Sequence, residues 1–203
     1  MTSPVPLQCG AYYHIYNRGN NRETVFLDER NYRHFLQLYA RYIEPVADTY
    51  AYCLLPNHFH LLVRIRAEEE IQETLRVSQT PRALQPSRQF AHLFNAYAKA
   101  INRAYGRTGS LFQHPFGRIV VDSQAYLLQL TAYIHQNPQR HGLVSDFRTW
   151  TYSSYPALLS TRPTHLKRGE VLGWFNGPVG FEVFHRHVLA AGQLGQLVPE
   201  DAD

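Results

Sequence analysis

The chain has 203 residues, 44% hydrophobic and 18% charged, so it is long enough for one folded domain and too apolar for general disorder. Its formal net charge of +4 fits a polyanionic ligand but does not require one. The two cysteines lack metal-binding spacing, and no apolar run approaches the roughly 20 residues of a membrane span. With no signal-peptide pattern at the start, we expect a cytoplasmic protein with reduced thiols and no membrane contact.

Hydrophobic periodicity predicts four strands and four helices. The strands are predicted at residues 11–18, 48–55, 58–66 and 117–121. The helices are predicted at residues 28–44, 87–105, 123–137 and 181–191. Residues 68–85 have the weakest pattern of the interior, and we interpret them as a mobile or inserted connection with room for a short helix.

Boundary signals support these elements. The acids at 28–29 favour a helix start, and Gly106 is typical of a helix end. Asp122 or Ser123 can cap the fourth predicted helix in chain order before last, which Pro138 is expected to terminate. The order strand, helix, strand, strand, helix, strand is that of an α+β, ferredoxin-like split β-α-β sandwich with an antiparallel sheet. A further helix and a helical tail are appended to it.

Two histidines on one strand are the first candidates for chemistry. Alternation along LLPNHFHLLVRI places His58 and His60 on one side with Arg64 and Arg66, and Phe59 on the other. We therefore predict one buried face and one face left for polar function. Two imidazoles at this spacing can share one metal ion, although surface or hydrogen-bonded strand histidines show the same spacing.

The helix before Pro138 offers a second candidate. Tyr133 and Asn137 lie one helical turn apart, with Tyr126 on the same stripe. This arrangement presents a nucleophile beside an amide ligand. A packing tyrosine followed by a helix cap would give the same pattern, so the residues alone leave both interpretations open.

Four segments in this order resemble the single-tyrosine transposases of the HUH superfamily, in particular the REP-associated and IS200-like groups. They are YNRGN (16–20), LPNHFHLLV (55–63), GSLFQ (109–113) and YIHQNPQRHGLV (133–144). The resemblance covers roughly residues 12–155. It implies a transposase domain over residues 1–160, with residues 161–203 as a C-terminal extension packed on it or trailing from it.

The resemblance also implies roles for individual residues. His58 and His60 would be metal ligands, Tyr133 the nucleophile and Asn137 the third ligand, with His135 a poorer alternative because it turns away from Tyr133. Members of the family cut single-stranded DNA beside a hairpin and form a 5′-phosphotyrosine link, using Mg²⁺ or Mn²⁺ and no ATP. The tyrosine helix of the family lies over the histidines. Both a monomer and a homodimer are expected states, since both occur in the family.

Basic side chains supply the predicted DNA contacts. Arg64 and Arg66 continue the histidine side of their strand, and residues 91–122 carry four basic side chains against a single acid. The predicted DNA-binding residues are Arg18, Asn20, Arg22, Arg64, Arg66, Lys99, Arg103, Arg107 and Arg118. For any one of them, a solvated basic surface is the alternative interpretation.

Three hypotheses for function follow. The first is a metal-dependent, single-strand DNA transposase or endonuclease acting through Tyr133. The second is a non-catalytic module of the same fold that binds hairpin DNA or RNA. The third is another HUH nuclease, such as a plasmid relaxase, but relaxases usually carry a third histidine in the motif, where this chain has Leu62.

Overall fold

The computed structural model describes residues 6–78 and 84–191, which form one antiparallel sheet with helices on both faces. The strands are β1 (Tyr12–Arg18), β2 (Ala47–Leu55), β3 (His58–Ile65) and β4 (Gly117–Val121), in the order β2-β3-β1-β4. The helices are α1 (Glu29–Tyr42), α2 (Glu68–Ser78), α3 (Pro86–Tyr105), α4 (Gln124–Arg140), α5 (Tyr155–Leu159), α6 (Arg168–Trp174) and α7 (Pro178–Ala191). This strand order confirms the predicted ferredoxin-like α+β fold.

Local signals position most of these elements. Asp28 accepts hydrogen bonds from the first backbone amides of α1, and the Asn31 side chain accepts one from the Asp28 amide, which forms a capping box. Gly106 ends α3 at a φ of +62°, a left-handed conformation that glycine adopts without strain. The two-residue connection between β2 and β3 at Pro56 and Asn57 is confirmed.

Two hydrophobic cores lie on opposite faces of the sheet. One packs Ile15 and Phe59 against α1 and α3, and the other packs Leu62 against α4 and the helices that follow it. The prediction that β3 has only one buried face is therefore wrong. Its second face is also buried, because α4 covers it, as the family resemblance implied; His60 on that face is 0% exposed.

The fourth helix differs from its prediction at one end. Ser123 caps its start, as expected, but α4 continues through Pro138 to Arg140 and does not end at Asn137. Pro138 has no N–H and so removes one helical hydrogen bond. The helix tolerates this loss because only two helical residues follow, and the backbone amide of His141 closes the last turn on the Asn137 carbonyl.

The C-terminal extension packs onto α4. Val171 and Phe181 belong to the same core as Leu130 of α4, so the predicted domain boundary at residue 160 stays a prediction. In the part of the chain that the structure describes, no helix has the length and apolarity of a membrane span. Cys9 and Cys53 are free thiols, as expected. Residues 79–83 of the predicted connection, and the tail beyond residue 191, lie outside the described residues.

A buried hydrogen-bonded chain ties α7 to α4. His185 Nδ1 lies 2.7 Å from the Phe181 carbonyl oxygen, which can only accept, so Nδ1 donates and Nε2 is free to accept. His135 Nδ1 lies 2.8 Å from His185 Nε2, and the Ser154 hydroxyl lies 2.7 Å from His135 Nε2. These contacts form one continuous direction of donation with both imidazoles neutral. They also turn His135 towards α7 and away from the sheet.

We predict that acid lowers the stability of the fold in part through His185. Burial lowers the pKa of His185 from 6.5 to about 4. Between these values the unfolded chain holds one more proton than the folded chain, so the free energy of unfolding falls as the pH falls. The contribution is on the order of 1.4 kcal/mol per pH unit. His185→Gln should therefore flatten the pH dependence of urea unfolding between pH 7 and pH 5.

His187→Gln is the matched control, since His187 is exposed on the same helix and is solvated in both states. Its pH dependence should match that of the wild type. An unchanged slope in His185→Gln would contradict the assignment of this proton to His185.

Candidate active site

The candidate site lies on the histidine face, the face of the sheet that carries His58 and His60 and is covered by α4. The antiparallel register of β1 and β3 places Tyr16 opposite His60 and Arg18 opposite His58. Partners across such a pair point to the same face, with Cβ atoms about 5 Å apart. On the other side of β1, Gly117 lies opposite Tyr16, and a Cβ there would collide with the Tyr16 ring. This glycine therefore leaves room for the ring beside the histidines.

His58 is held in one tautomer by its neighbour. Its Nδ1 lies 2.7 Å from the Asn57 side-chain oxygen, which can only accept, so Nδ1 is the donor. The Asn57 amide nitrogen faces the Arg22 carbonyl oxygen at 3.5 Å, which supports this orientation of the amide. His58 Nε2 then carries a lone pair, and this atom is buried with no hydrogen-bond partner among the described residues.

His60 lies at the centre of the site. Its ring is 5.2 Å from that of His58 and 5.4 Å from that of Tyr133. Its Nδ1 is 3.0 Å from Nε2 of His14 on β1, a residue that the sequence did not single out. Alternation along β1 places His14 on the same face as Tyr16, but the contact with His60 depends on a strand pairing that the sequence does not reveal.

The α4 helix brings Tyr133 and Asn137 over the histidine face. The Tyr133 ring meets His60 edge-on at an interplanar angle of 77°, and the Arg140 guanidinium carbon lies 5.6 Å from its centroid. Asn137 lies one turn later on the same side of the helix, and its amide nitrogen donates to the Tyr133 carbonyl oxygen at 2.8 Å. The Asn137 side-chain oxygen is left as a buried acceptor without a hydrogen-bond partner in the described part of the chain.

Burial keeps both candidate ligands neutral. It lowers the pKa of His58 to about 3, and the nearby His141 and Arg18 add to this effect. Burial also lowers the pKa of His60 well below its usual value, with smaller contributions from His14 and His58. Since only a neutral imidazole can bind a metal, protons do not compete for these nitrogens at neutral pH.

The donor set fits a metal ion of a particular kind. Within residues 6–78 and 84–191, no group of three or more histidine, cysteine, aspartate and glutamate side chains is arranged to hold one. A metal at this site must therefore combine His58 and His60 with the amide oxygen of Asn137. The lone pairs on His58 Nε2 and the Asn137 oxygen are buried without donors, and a cation would satisfy both.

A cleft of about 330 Å³ opens beside His58. Arg18 and Arg22 line it, where the prediction of DNA contacts requires them, and His141 lines it as well, although the sequence did not identify that residue. Asn20 is exposed in the 3₁₀ turn Asn20–Arg22 that borders the cleft. The basic lining attracts anions to the place where a ligand can reach His58.

The predicted contacts at Arg64 and Arg66 lie elsewhere. By strand rise they are about 20 Å from His58 along β3. Both bind the buried carboxylate of Asp48, Arg64 at 2.5 Å and Arg66 at 3.0 Å. Burial alone would raise the pKa of Asp48, but the bond from Arg64 and the charges of Arg66 and Lys167 outweigh it, so the pKa is lowered. The structure therefore gives these two arginines the role of neutralising a buried acid.

The remaining predicted contacts are also distant from the cleft. Arg107 forms an ion pair with Glu23 of the β1–α1 connection. Arg118 stacks on the Phe116 ring at 3.9 Å and points to the face covered by α1 and α3. Lys99 and Arg103 are exposed on α3. None of these four contributes to the geometry around His58.

Comparison with known proteins places this arrangement in a family. A solved structure, of a REP-associated tyrosine transposase bound to a REP hairpin, has a similar fold, with a TM-score of 0.58 over 80% of this chain and 88% of that one, at 15% identity. A REP-associated tyrosine transposase of Haemophilus influenzae is 30% identical over 108 residues. That match spans 53% of this chain and only 58% of the relative. Residues 8–137, which include both histidines, Tyr133 and Asn137, match the family described as "Transposase IS200 like", and the chain belongs to that family.

Proposed function

We propose that this chain is a metal-dependent transposase that cleaves and rejoins single-stranded DNA beside hairpins through Tyr133. The observation that carries the proposal is the contact of the Tyr133 ring with His60, next to two buried acceptor atoms, His58 Nε2 and Asn137 Oδ1. Family membership supports the reaction class. The solved relative bound to a REP hairpin supports hairpin DNA as the substrate.

In the proposed reaction, the Tyr133 oxygen attacks the phosphorus of the scissile phosphodiester. A tyrosine–phosphorus bond forms as the bond from phosphorus to the 3′-oxygen breaks, and the tyrosine proton ends on the departing 3′-oxygen. The products are a 5′-phosphotyrosine and a free 3′-hydroxyl. Because a phosphodiester is exchanged for a phosphodiester, attack by a 3′-hydroxyl can reverse the step without ATP.

His58, His60 and Asn137 would hold Mg²⁺ or Mn²⁺. The bound ion supplies Lewis-acid polarisation of the phosphate. All three ligand side chains are neutral, so they leave the charge of the ion undiminished for the anionic substrate. Two nitrogen donors suit Mn²⁺ better than Mg²⁺, which prefers oxygen ligands.

The arginines of the cleft would guide the DNA backbone to the site. Guanidinium groups bind phosphate oxygens in a bidentate manner, and Arg18 lies directly across from His58. Arg140, beside the Tyr133 ring, is placed to contact the phosphate under attack. These residues form a basic path that ends at the proposed nucleophile.

A non-catalytic hairpin-binding module is the second candidate function. The observation that favours it is the burial of Tyr133, whose side chain is 0% exposed. A phosphate reaches the phenol only if a neighbouring segment moves. Binding without such movement would use the cleft and its arginines alone.

We predict that Tyr133→Phe abolishes cleavage but preserves binding. With hairpin-bearing single-stranded DNA from the gene's flanks and Mn²⁺, wild type should form a covalent protein–DNA band on a denaturing gel. The variant should lose at least about 1,000-fold of this product because the nucleophilic oxygen is gone. Tyr126→Phe, on the same helix, is the control and should retain it.

A persistent adduct in Tyr133→Phe would shift the nucleophile to another residue, with Tyr126 first. Tight binding of the flanking DNA by wild type, with no cleavage in either metal, would favour the binding module.

We predict that Asn137→Asp tightens Mn²⁺ binding and slows cleavage. A carboxylate binds the ion more strongly than an amide, but its charge reduces the attraction between the ion and the phosphate. Isothermal titration with Mn²⁺ and single-turnover cleavage measure the two effects. Asn137→Leu, of similar volume, should weaken Mn²⁺ binding. Equal Mn²⁺ affinity in all three proteins would remove Asn137 from the ligand set.

We predict that Arg18→Gln weakens hairpin binding about tenfold through loss of one phosphate contact. The slope of log K against log salt should fall by about 0.7 to 0.9, the value for one counterion released. Arg41→Gln is the charge-matched control, because Arg41 is exposed on α1 on the other side of the sheet. Equal losses in both variants would indicate a general charge effect and no specific contact.

A further inference from the structure

A third buried histidine contacts the proposed ligand His60 from the neighbouring strand. Nε2 of His14 lies 3.0 Å from Nδ1 of His60, and the two rings stack at 5.1 Å with an interplanar angle of 24°. Both side chains are 0% exposed. The contact is thus a fixed, water-excluded hydrogen bond between two imidazoles that burial keeps neutral.

Only one proton can lie between these two nitrogens, and its position decides what His60 can bind. If His14 donates, His60 accepts at Nδ1 and carries its own proton on Nε2, which then has no lone pair for a metal. If His60 donates from Nδ1, its Nε2 lone pair is available. The direction of a single hydrogen bond therefore separates a ligand from a non-ligand.

We propose that His14 is a positioning residue that accepts the Nδ1–H bond of His60 and so presents His60 Nε2 to the metal. The proposal rests on the metal-dependent function proposed above. Asn57 already plays this part for His58, whose Nδ1 donates to the Asn57 side-chain oxygen. Both candidate ligands then use Nδ1 to bind the protein and Nε2 to bind the ion, an arrangement common to metal-binding histidines.

The chemical nature of the acceptor matters for the reaction. Metal-binding histidines often donate to a carboxylate, which adds negative charge next to the ion. His14 and Asn57 are both neutral acceptors. They orient the ligands without reducing the positive charge that the site presents to an anionic phosphodiester.

Mn²⁺ binding to the full-length chain without DNA tests the proposal. His14→Phe keeps an aromatic ring but removes the acceptor, and it should weaken Mn²⁺ binding roughly 10- to 100-fold by isothermal titration. His14→Gln places an amide oxygen near the position of Nε2 and should recover most of the affinity. Circular dichroism verifies that both variants fold. Wild-type affinity in folded His14→Phe, or equal losses in both variants, would overturn the role of His14.

His58→Ala separates this proposal from the function on which it rests. If His58→Ala loses Mn²⁺ affinity and His14→Phe does not, only the role of His14 is wrong. If Mn²⁺ affinity is unchanged in His58→Ala, the ion binds elsewhere and the proposed metal site itself is wrong.

A second measurement needs no variant at the tested position. In metal-free wild type labelled with ¹⁵N-histidine, two-bond ¹H–¹⁵N spectra distinguish the two neutral tautomers, and His60→Gln identifies the signals of His60. The proton of His60 should be found on Nδ1. Finding it on Nε2 would overturn the proposal even if His14→Phe fails to fold.

Discussion

The antiparallel register of β1 and β3 is the constraint on which the candidate site depends. It sets Arg18 opposite His58 and Tyr16 opposite His60. A slip of one residue would turn this polar set of β1 into the core beneath α1 and α3. The apolar residues of the other face, Ile15 among them, oppose such a slip because they would move out of that core. A backbone bond from the Gly19 amide to the Asn57 carbonyl also fixes the strand ends.

Burial gives the site its chemical character. A histidine face left open to water would solvate its lone pairs and weaken the field of any bound cation. Under α4 the imidazoles are neutral and dry, and electrostatic interactions are stronger there than in water. The cost is a set of buried acceptors, His58 Nε2 and Asn137 Oδ1, that the described residues leave unsatisfied. A bound cation removes that cost, so the same burial that penalises the metal-free site favours the metal-bound one.

The sequence predicted features that depend on near neighbours and missed those that depend on strand pairing. Alternation along β3 and the Ser123 cap are local, and both are confirmed. The roles of Arg64 and His14 depend on Asp48 and His60, which lie on adjacent strands and have no signature at the arginine or the histidine itself. Pro138 misled for a related reason: a proline is tolerated in a last turn, and only the structure shows where that turn lies.

The C-terminal layer completes the site although it contributes none of the proposed ligands. The His135 side chain lies on the opposite side of α4 from Tyr133, about 200° around the helix axis, and binds His185 of α7. The helix that carries the proposed nucleophile is therefore held between the sheet and the C-terminal extension. Because Tyr133 is fully buried, access of DNA to its phenol requires one of these two packing surfaces to yield. The sheet side holds the proposed metal ligands in register, so the C-terminal side is the one that can move without dismantling the site.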